Sequence, residues 1–413
     1  MTADGVTGQP RQAAMVFIFI TILLDMLSLG IIIPVWPRLV VNFLAGDNAK
    51  AAVIFGLIGT AWAAMQFVFS PIQGALSDRF GRRPIILLSN LGEGLDYFVM
   101  AWAPSLGWLL FGRLISGATA ASISTAFAYI ADVTPPEKRA GRYGILGAAF
   151  GLGFVIGPAV GGLVGEIDPR LPFWVAGALS LANFAYGFFV LPESLAKDRR
   201  SPFRWRRANP VASLVLLRSH PELSGLSVVY FLGQLAHVVL PSTFVLYAGY
   251  RYGWTEGAVG LTLAGVGVCS MIVQVGLVSQ AVGWFGERRA LMIGLFFGAL
   301  GFALYGMAPN GAWFLIGVPL MSLWGLANPA TQGLMSGLVG PLEQGKLQGA
   351  NGSLTGIAGM IGPSLFTLSF SFAIDPARSL HLPGTPFLLA ALMLAVALLL
   401  IIRGTKPDRQ TAP

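Results

Sequence analysis

One cysteine in 413 residues excludes an internal disulfide, and with only three histidines the chain offers no ligand set for zinc or an iron–sulfur cluster. Cys269 itself lies in an apolar run and reads as a packing residue. Charge is equally scarce. Asp, Glu, Lys and Arg make up 11% of the chain, against roughly 25% in soluble globular domains. No phosphate-binding loop, nucleotide-binding glycine pattern or nucleophile–base set in its proper context is found, which argues against an enzyme and against ATP as the energy source.

Apolar residues, by contrast, make up 55% of the chain, and its mean hydropathy is +0.72. A helix needs about 20 mainly apolar residues to cross about 30 Å of hydrocarbon. Runs of that length predict spans at 14–36, 52–74, 84–103, 106–131, 140–165, 172–191, 223–248, 257–283, 289–308, 312–338, 345–373 and 384–403. The first is too long for a signal-peptide core, carries Asp25 at mid-depth and lacks a small-residue cleavage site, so it is expected to stay as a span. It ends at Pro34 and Pro37, which break the helix, with Trp36 suited to the membrane interface.

The net charge of +8 belongs to topology rather than to nucleic-acid binding. With both ends inside, 20 of the 26 Lys and Arg residues fall in inner segments and 5 in outer ones, with Arg113 left within a span. That bias predicts cytoplasmic termini. The longest polar stretch, 192–222, holds Pro192, Pro202, Pro210, Pro221 and the run Arg204-Trp205-Arg206-Arg207. It is expected to be a basic linker on the inner leaflet, joining an N-terminal bundle (1–191) to a C-terminal one (223–413).

The halves repeat at an offset of 205: Gly81 falls on Gly286, Arg83 on Arg288, Gly144 on Gly349, Gly157 on Gly362 and Pro158 on Pro363. The fold class is therefore expected to be all-α integral membrane, with twelve transmembrane helices in two pseudo-symmetric six-helix bundles. Duplicated halves of this kind place a substrate path between them near the bilayer midplane. The second copy has lost an acid, because Asp78 maps to Gly283.

Four charges lie within the predicted spans away from their ends: Asp25, Glu93, Asp96 and Arg113. Each costs roughly 2.5–3.5 kcal/mol at mid-depth on insertion scales, so a functional role is the default reading. Glu93 and Asp96, three residues apart, share a helix face, and two carboxylates there should not both ionise easily. That suits a reversible proton carrier, with Arg113 favouring the ionised form of a neighbour. Polar glue between helices is the alternative. His237 is the one titratable side chain added by the second half's spans, and a lone helical histidine is often a packing residue. Gln66, Gln234, Asn328 and Gln332 are candidate cavity-lining residues, and interhelical hydrogen bonding explains each as well.

In the fifth span, Gly147 and Gly151 form one small-residue row and Gly153, Gly157 and Gly161 another, with Pro158 expected to bend the helix. Such a face suits a hinge between the halves. The loop Gly74-Ala-Leu-Ser-Asp-Arg-Phe-Gly-Arg-Arg-Pro84 puts Asp78 within reach of Arg79 and Arg82, with Gly74 allowing close helix approach and Gly81 a tight turn. On composition alone this is a positive-inside loop with a solvated ion pair.

That loop resembles the loop signature of the major facilitator superfamily. Gly151–Gly162 resembles the fifth-span signature of its drug/proton antiporters. Leu24-Asp25, Leu110-Phe-Gly-Arg113 and Ala128-Tyr-Ile-Ala-Asp132 are similar in particular to the tetracycline efflux antiporters. The resemblance implies a major facilitator fold and export of a hydrophobic or amphiphilic drug in exchange for protons. The alternative is a proton-coupled or facilitative carrier of another small molecule on the same fold. It further implies a gating latch at Gly74, Asp78, Arg79, Gly81, Arg82 and Arg83, an antiporter helix marked by Gly153, Gly157, Pro158 and Gly161, and proton coupling by Asp25, Asp96 and Arg113. Glu93 and His237 join that set from the residue reading alone. No cofactor or metal is expected: protons are the coupling ion, and a divalent cation could arrive chelated to the substrate. The expected partners are a small-molecule drug and the lipid bilayer, with no nucleic acid and no obligate protein, in a monomer of the bacterial inner membrane. One departure stands out. Where the tetracycline exporters have a histidine in span eight and an aspartate in span nine, this chain has Ser270 and Gly298.

Overall fold

The computed structural model describes residues 8–203, 209, 212–218, 221–340, 343–378 and 381–404. The expected run Arg204–Arg207 lies outside them. Among the described residues every regular element is a helix. In order these are α1 (Gly8–Ile32), α2 (Trp36–Phe43), α3 (Asn48–Phe80), α4 (Arg82–Trp102), α5 (Leu106–Thr119), α6 (Ser122–Val133), α7 (Pro136–Ile167), α8 (Leu171–Val190), α9 (Pro221–His237), α10 (Val239–Tyr252), α11 (Glu256–Ile272), α12 (Val278–Met307), α13 (Gly311–Ser322), α14 (Ala327–Gly337), α15 (Gln344–Ile374) and α16 (Thr385–Gly404). Asp47 starts α3 by accepting from the Lys50 amide, a bond that holds its carboxyl below the usual carboxylate range.

Ten helical stretches are long and apolar enough to cross a membrane. One of them, Glu256–Met307, has 52 residues, about 78 Å at 1.5 Å per residue, which is more than twice the hydrocarbon thickness. It turns at Gly286, whose φ of 77° is left-handed, and so holds two crossings. With α4 added, the architecture is consistent with twelve crossings. The repeat is visible in the backbone: Gly81, at the equivalent place, has a φ of 111°.

Interruptions repeat as well. The break between α1 and α2 matches the break at Val238 between α9 and α10. The break at Ala120–Ala121 between α5 and α6 matches a tighter turn, Leu323–Leu326, between α13 and α14. Only the first of these was announced by prolines at the break itself.

Contacts divide the chain into two compact units. Unit 1 is Met1–Asn209 with Gly253–Gly267, and unit 2 is Pro210–Tyr252 with Val268–Pro413. The assignment of Gly253–Gly267 to unit 1 was not legible in the sequence. Its cause is local. Gly162 and Gly260 meet backbone to backbone, Thr255 Oγ1 donates to Glu166 Oε1 at 2.6 Å, and Arg38 Nε pairs with Glu256 Oε1 at 3.1 Å.

Glycine contacts show what the expected hinge row packs on. Gly153, Gly157 and Gly161 pack on Met26, Gly30 and Ile31 of α1, so this row serves packing inside unit 1. α7 runs unbroken through Pro158. Among the described residues no atom lies within 4 Å of where a Cβ would stand at Gly147 or at Gly74. At Gly161 a Cβ would run into the carbonyl of Ile31, a backbone atom that cannot swing away. Gly161→Val is therefore expected to cost about 1–3 kcal/mol or more by overpacking. It should lower both the amount of protein in the membrane and its unfolding temperature in detergent. Unchanged unfolding would refute this packing account.

Candidate functional site

Two clusters of polar chemistry lie in unit 1. The first is at the loop between α3 and α4. Arg82 donates to Asp78 Oδ1 at 2.5 Å and to Asp132 Oδ2, at the end of α6, at 3.0 Å. Ser194 Oγ donates to the same Asp132 oxygen at 3.1 Å. Glu193 accepts from the Arg82 and Arg83 amides at 2.8 and 3.3 Å, so its carboxylate satisfies the first N–H groups of α4. Gly81 is required twice over, by its left-handed φ and by the Glu193 carboxylate lying where a Cβ would be. Arg83 donates to the carbonyl of Phe188 at the end of α8.

This geometry refines the sequence reading. Asp78 is held by Arg82, while exposed Arg79 lies over the Phe80 ring at 5.1 Å. Glu193 stands outside the residues expected from the sequence. Its one signal was an acid in Leu191-Pro-Glu-Ser194 just past an apolar span, and the helix start it caps lies 111 residues earlier in the chain. Asp132 was quoted only as part of a motif, yet it is the second carboxylate on Arg82. In the degenerate copy Glu287 stands at the Arg82 position, and Arg288 keeps the equivalent bond to a terminal carbonyl, that of Ile401 at 3.3 Å.

The second cluster is buried. Asp25 (α1), Asp96 (α4) and Arg113 (α5) are all shielded from solvent, and Glu93 is half-buried. Arg113 forms an ion pair with Asp96 Oδ2, and its guanidinium lies 5.8 Å from the ring centres of both Trp36 and Tyr97. Ser122, the first residue of α6, donates to Asp25 Oδ2 at 2.5 Å. Glu93 (α4) lies close enough to Asp25 (α1) for the two side chains to interact. The expected Glu93–Asp96 couple is thus replaced by two pairs, Glu93 with Asp25 and Asp96 with Arg113. Residues three apart on a helix sit about 60° apart around its axis, enough to aim one at α1 and the other at α5. Among the described residues, none donates to Asp25 Oδ1 or Glu93 Oε2. A single proton shared between the two carboxyls would serve as the missing donor. Gly112 belongs to this site too, because a Cβ there would stand 2.5 Å from Asp96 Oδ1.

The break between α5 and α6 is held by neighbouring side chains. Gln73 donates to the carbonyl of Ala118, Ser89 donates to that of Thr119 at 2.6 Å, and the Ala121 amide donates to Ser89 Oγ at 3.2 Å. Backbone groups freed within a membrane are tolerated only where protein re-satisfies them. The break sets Ser122 and the amino end of α6 against Asp25.

Among the described residues, unit 2 shows what the same fold does without acids embedded in its spans. The counterparts of Ser89, Glu93 and Asp96 are Gly294, Gly298 and Gly301. A Cβ at these positions would meet Ala327, Trp324 and Met321 respectively, so bulk from the partner helix fills the space that carboxylates use in unit 1. Trp324 lies in the tight turn between α13 and α14 and faces His237 with ring centres 5.6 Å apart. His237 ends α9 and is exposed, while Gln234 and Gln332 are half-buried. Asn328 is exposed and accepts from Gln332 Nε2 at 3.3 Å. Gln66 is half-buried on α3, and Phe98 packs on Trp174 at 5.5 Å. The missing acid at Gly298 thus has a physical account: an aspartate there would collide with the Trp324 indole. The structure offers no comparable reason for Ser270.

Comparison with known proteins places these clusters in context. Residues 18–363 match the family model described as the Major Facilitator Superfamily. The tetracycline resistance protein of class C from Escherichia coli is 36% identical over 393 residues, covering 95% of this chain and 97% of that protein. The class B protein, also from Escherichia coli, is 35% identical over 353 residues, covering 85% and 87%. Among solved structures, the human organic anion transporter MFSD10 (TETRAN) is 25% identical with a TM-score of 0.70, covering 95% of this chain and 99% of that one.

Proposed function

The chain belongs to the Major Facilitator Superfamily, a family of transporters rather than enzymes, and from that premise we propose that it exports a hydrophobic or amphiphilic drug, tetracycline first among candidates, in exchange for protons. The observation that carries this reading is the buried group Asp25, Glu93, Asp96 and Arg113. A carboxyl pair that holds a shared proton more readily than two charges can load and release it as its surroundings change. Protons are the coupling ion, and a divalent cation enters only as a chelate with the substrate. Gln66, Gln234, Asn328 and Gln332 are the proposed substrate contacts, and His237, stacked on Trp324, stays with the proposed proton-coupling groups. The protein is proposed to work as a monomer in the bacterial inner membrane with both termini in the cytoplasm, as the distribution of basic residues supports.

The Asp78–Arg82–Asp132 cluster is proposed as the latch that holds the inner side shut. Asp78→Asn weakens one arm of Arg82 and leaves Asp132 in place. It is expected to keep normal protein levels while lowering drug efflux by about tenfold, the scale of one charge-assisted hydrogen bond. Efflux at the wild-type rate would sink the latch.

Tetracycline added to everted vesicles carrying the protein should dissipate an acid-inside gradient. A gradient untouched by tetracycline and by a panel of amphiphilic drugs would reject proton-coupled export and favour a facilitative carrier.

A further inference from the structure

Several buried polar atoms of unit 1 belong to neither cluster. Thr21 (α1), Asn90 (α4), Thr125 (α6) and Asn183 (α8) are each at most 2% exposed. Thr21 Oγ1, both side-chain amide atoms of Asn90, Thr125 Oγ1 and Asn183 Oδ1 have no hydrogen-bond partner among the described residues. The one bond among them runs from Asn183 Nδ2 to the carbonyl of Thr21 at 2.8 Å, tying α8 to α1.

The helix register sets these residues at one level. Asn90 lies one turn before Glu93, Thr21 one turn before Asp25, and Thr125 one turn after Ser122, the donor to Asp25. Gly94 packs on Ser180 and Leu181, and Gly187 on Leu87, which brings Asn90 level with Asn183 on the antiparallel α8. The four residues therefore form a tier next to the Asp25–Glu93 pair, on the side toward the Gly74–Pro84 loop. Beyond it comes a dry layer that includes Ile18, Ile86, Tyr129, Ile130 and Leu191, and beyond that the Asp78–Arg82–Asp132 cluster.

The fold does not need this tier for packing. At the offset of 205 the counterparts of Thr21, Asn90, Thr125 and Asn183 are Leu226, Leu295, Ala330 and Leu388. The same helices of unit 2 thus pack apolar side chains at all four positions. Buried polar groups left unpaired are costly, and the great majority in native proteins are satisfied by protein or by ordered water, each such water making about three hydrogen bonds. Four residues from four helices, aimed at one level, meet that requirement for a small water cluster.

We propose that Thr21, Asn90, Thr125 and Asn183 bind a cluster of water molecules that relays protons between the Asp25–Glu93 pair and the loop end of unit 1. A proton leaving the carboxyl joins the nearest water, which passes one of its own protons to the next, so every water is regenerated and no other reactant is consumed. The dry layer closes the far end of the relay in this structure, which keeps the coupled state from leaking protons. The proposal rests on the reading of Asp25 and Glu93 as proton carriers.

Infrared difference spectroscopy on the reconstituted full-length chain tests it, following hydrogen–deuterium exchange at the buried protonated carboxyl alongside tetracycline-driven proton movement. Asn90→Leu, which installs the residue unit 2 carries, is expected to slow both by about tenfold and to remove the bands of ordered water. Asn90→Ser should restore them to within about twofold, because it returns a hydroxyl to the tier. Tetracycline affinity should stay within about twofold throughout, since no tier residue belongs to the proposed drug contacts. If Asn90→Leu does not fold, Thr125→Ala and Asn183→Leu, also copies of unit 2, take its place. Wild-type exchange and proton movement in a folded tier variant overturn the relay. Proton movement that survives Asp25→Asn and Glu93→Gln overturns the proton-carrier reading instead, so the two failures are distinct.

Discussion

Arg113→Leu is expected to abolish drug export and to destabilise the folded protein by about 3–5 kcal/mol, the scale for removing one partner of a buried ion pair. The loss is large because nothing nearby can take over. Asp96 has one oxygen on Arg113 and the other without a donor, so the substitution leaves a buried charge with no partner. The guanidinium also lies over Trp36 and Tyr97, and those contacts vanish with it. Pairing Arg113→Leu with Asp96→Leu should recover most of the stability, since a buried ion pair replaced by apolar groups of similar volume is often neutral or better. It should not recover transport. Thermal unfolding in detergent and efflux from cells separate the two outcomes. A single Arg113→Leu variant as stable as wild type would show that the pair carries little of the fold.

Asp25→Asn should reduce drug-driven proton movement by about 100-fold or more, the range attributed to a positioned proton donor or acceptor. Stability should change little, because an amide still accepts the Ser122 hydroxyl that Asp25 Oδ2 accepts at 2.5 Å. Glu93→Gln should do the same to proton movement, since either substitution leaves the carboxyl pair without its two-acid character. Drug counterflow, which exchanges drug for drug with no net proton movement, should persist in both variants. Loss of counterflow together with proton movement would make these acids substrate ligands rather than proton carriers. Ser122→Ala should be milder, because it removes one hydrogen bond to the acid and leaves the acid itself.

The fold was largely legible because bilayer thickness makes apolar length a direct signal, and because a duplicated chain repeats its glycines at one spacing. Asp25, Asp96 and Arg113 were legible for a related reason: a charge in a span is expensive and so conspicuous. The pairing of these charges was not legible. Choosing between Asp25 and Asp96 as the partner of Glu93 depends on which neighbouring helix lies within reach, a tertiary fact. The helix breaks near Val238 and Leu323–Leu326 escaped notice similarly, as did the break at Ala120–Ala121, whose freed groups are met by Ser89 and Gln73 from other helices. Glycine was the least reliable guide. Gly74 and Gly161 look alike in sequence, yet one faces open space and the other a carbonyl. The loss of the span-nine acid was visible at Gly298, but its cause, the indole of Trp324, lies 26 residues further along the chain.

The ion pair between Asp96 and Arg113 bears also on how the chain is made. α4 has 21 residues, enough to span, but its embedded acids keep it out of the set of helices apolar enough to cross on their own account. The charge that α4 carries meets its partner 17 residues later on α5, where Arg113 pairs with Asp96. α4 followed by α5 is therefore expected to insert into a bilayer more fully than α4 alone, and Arg113→Leu should remove that difference in an insertion assay.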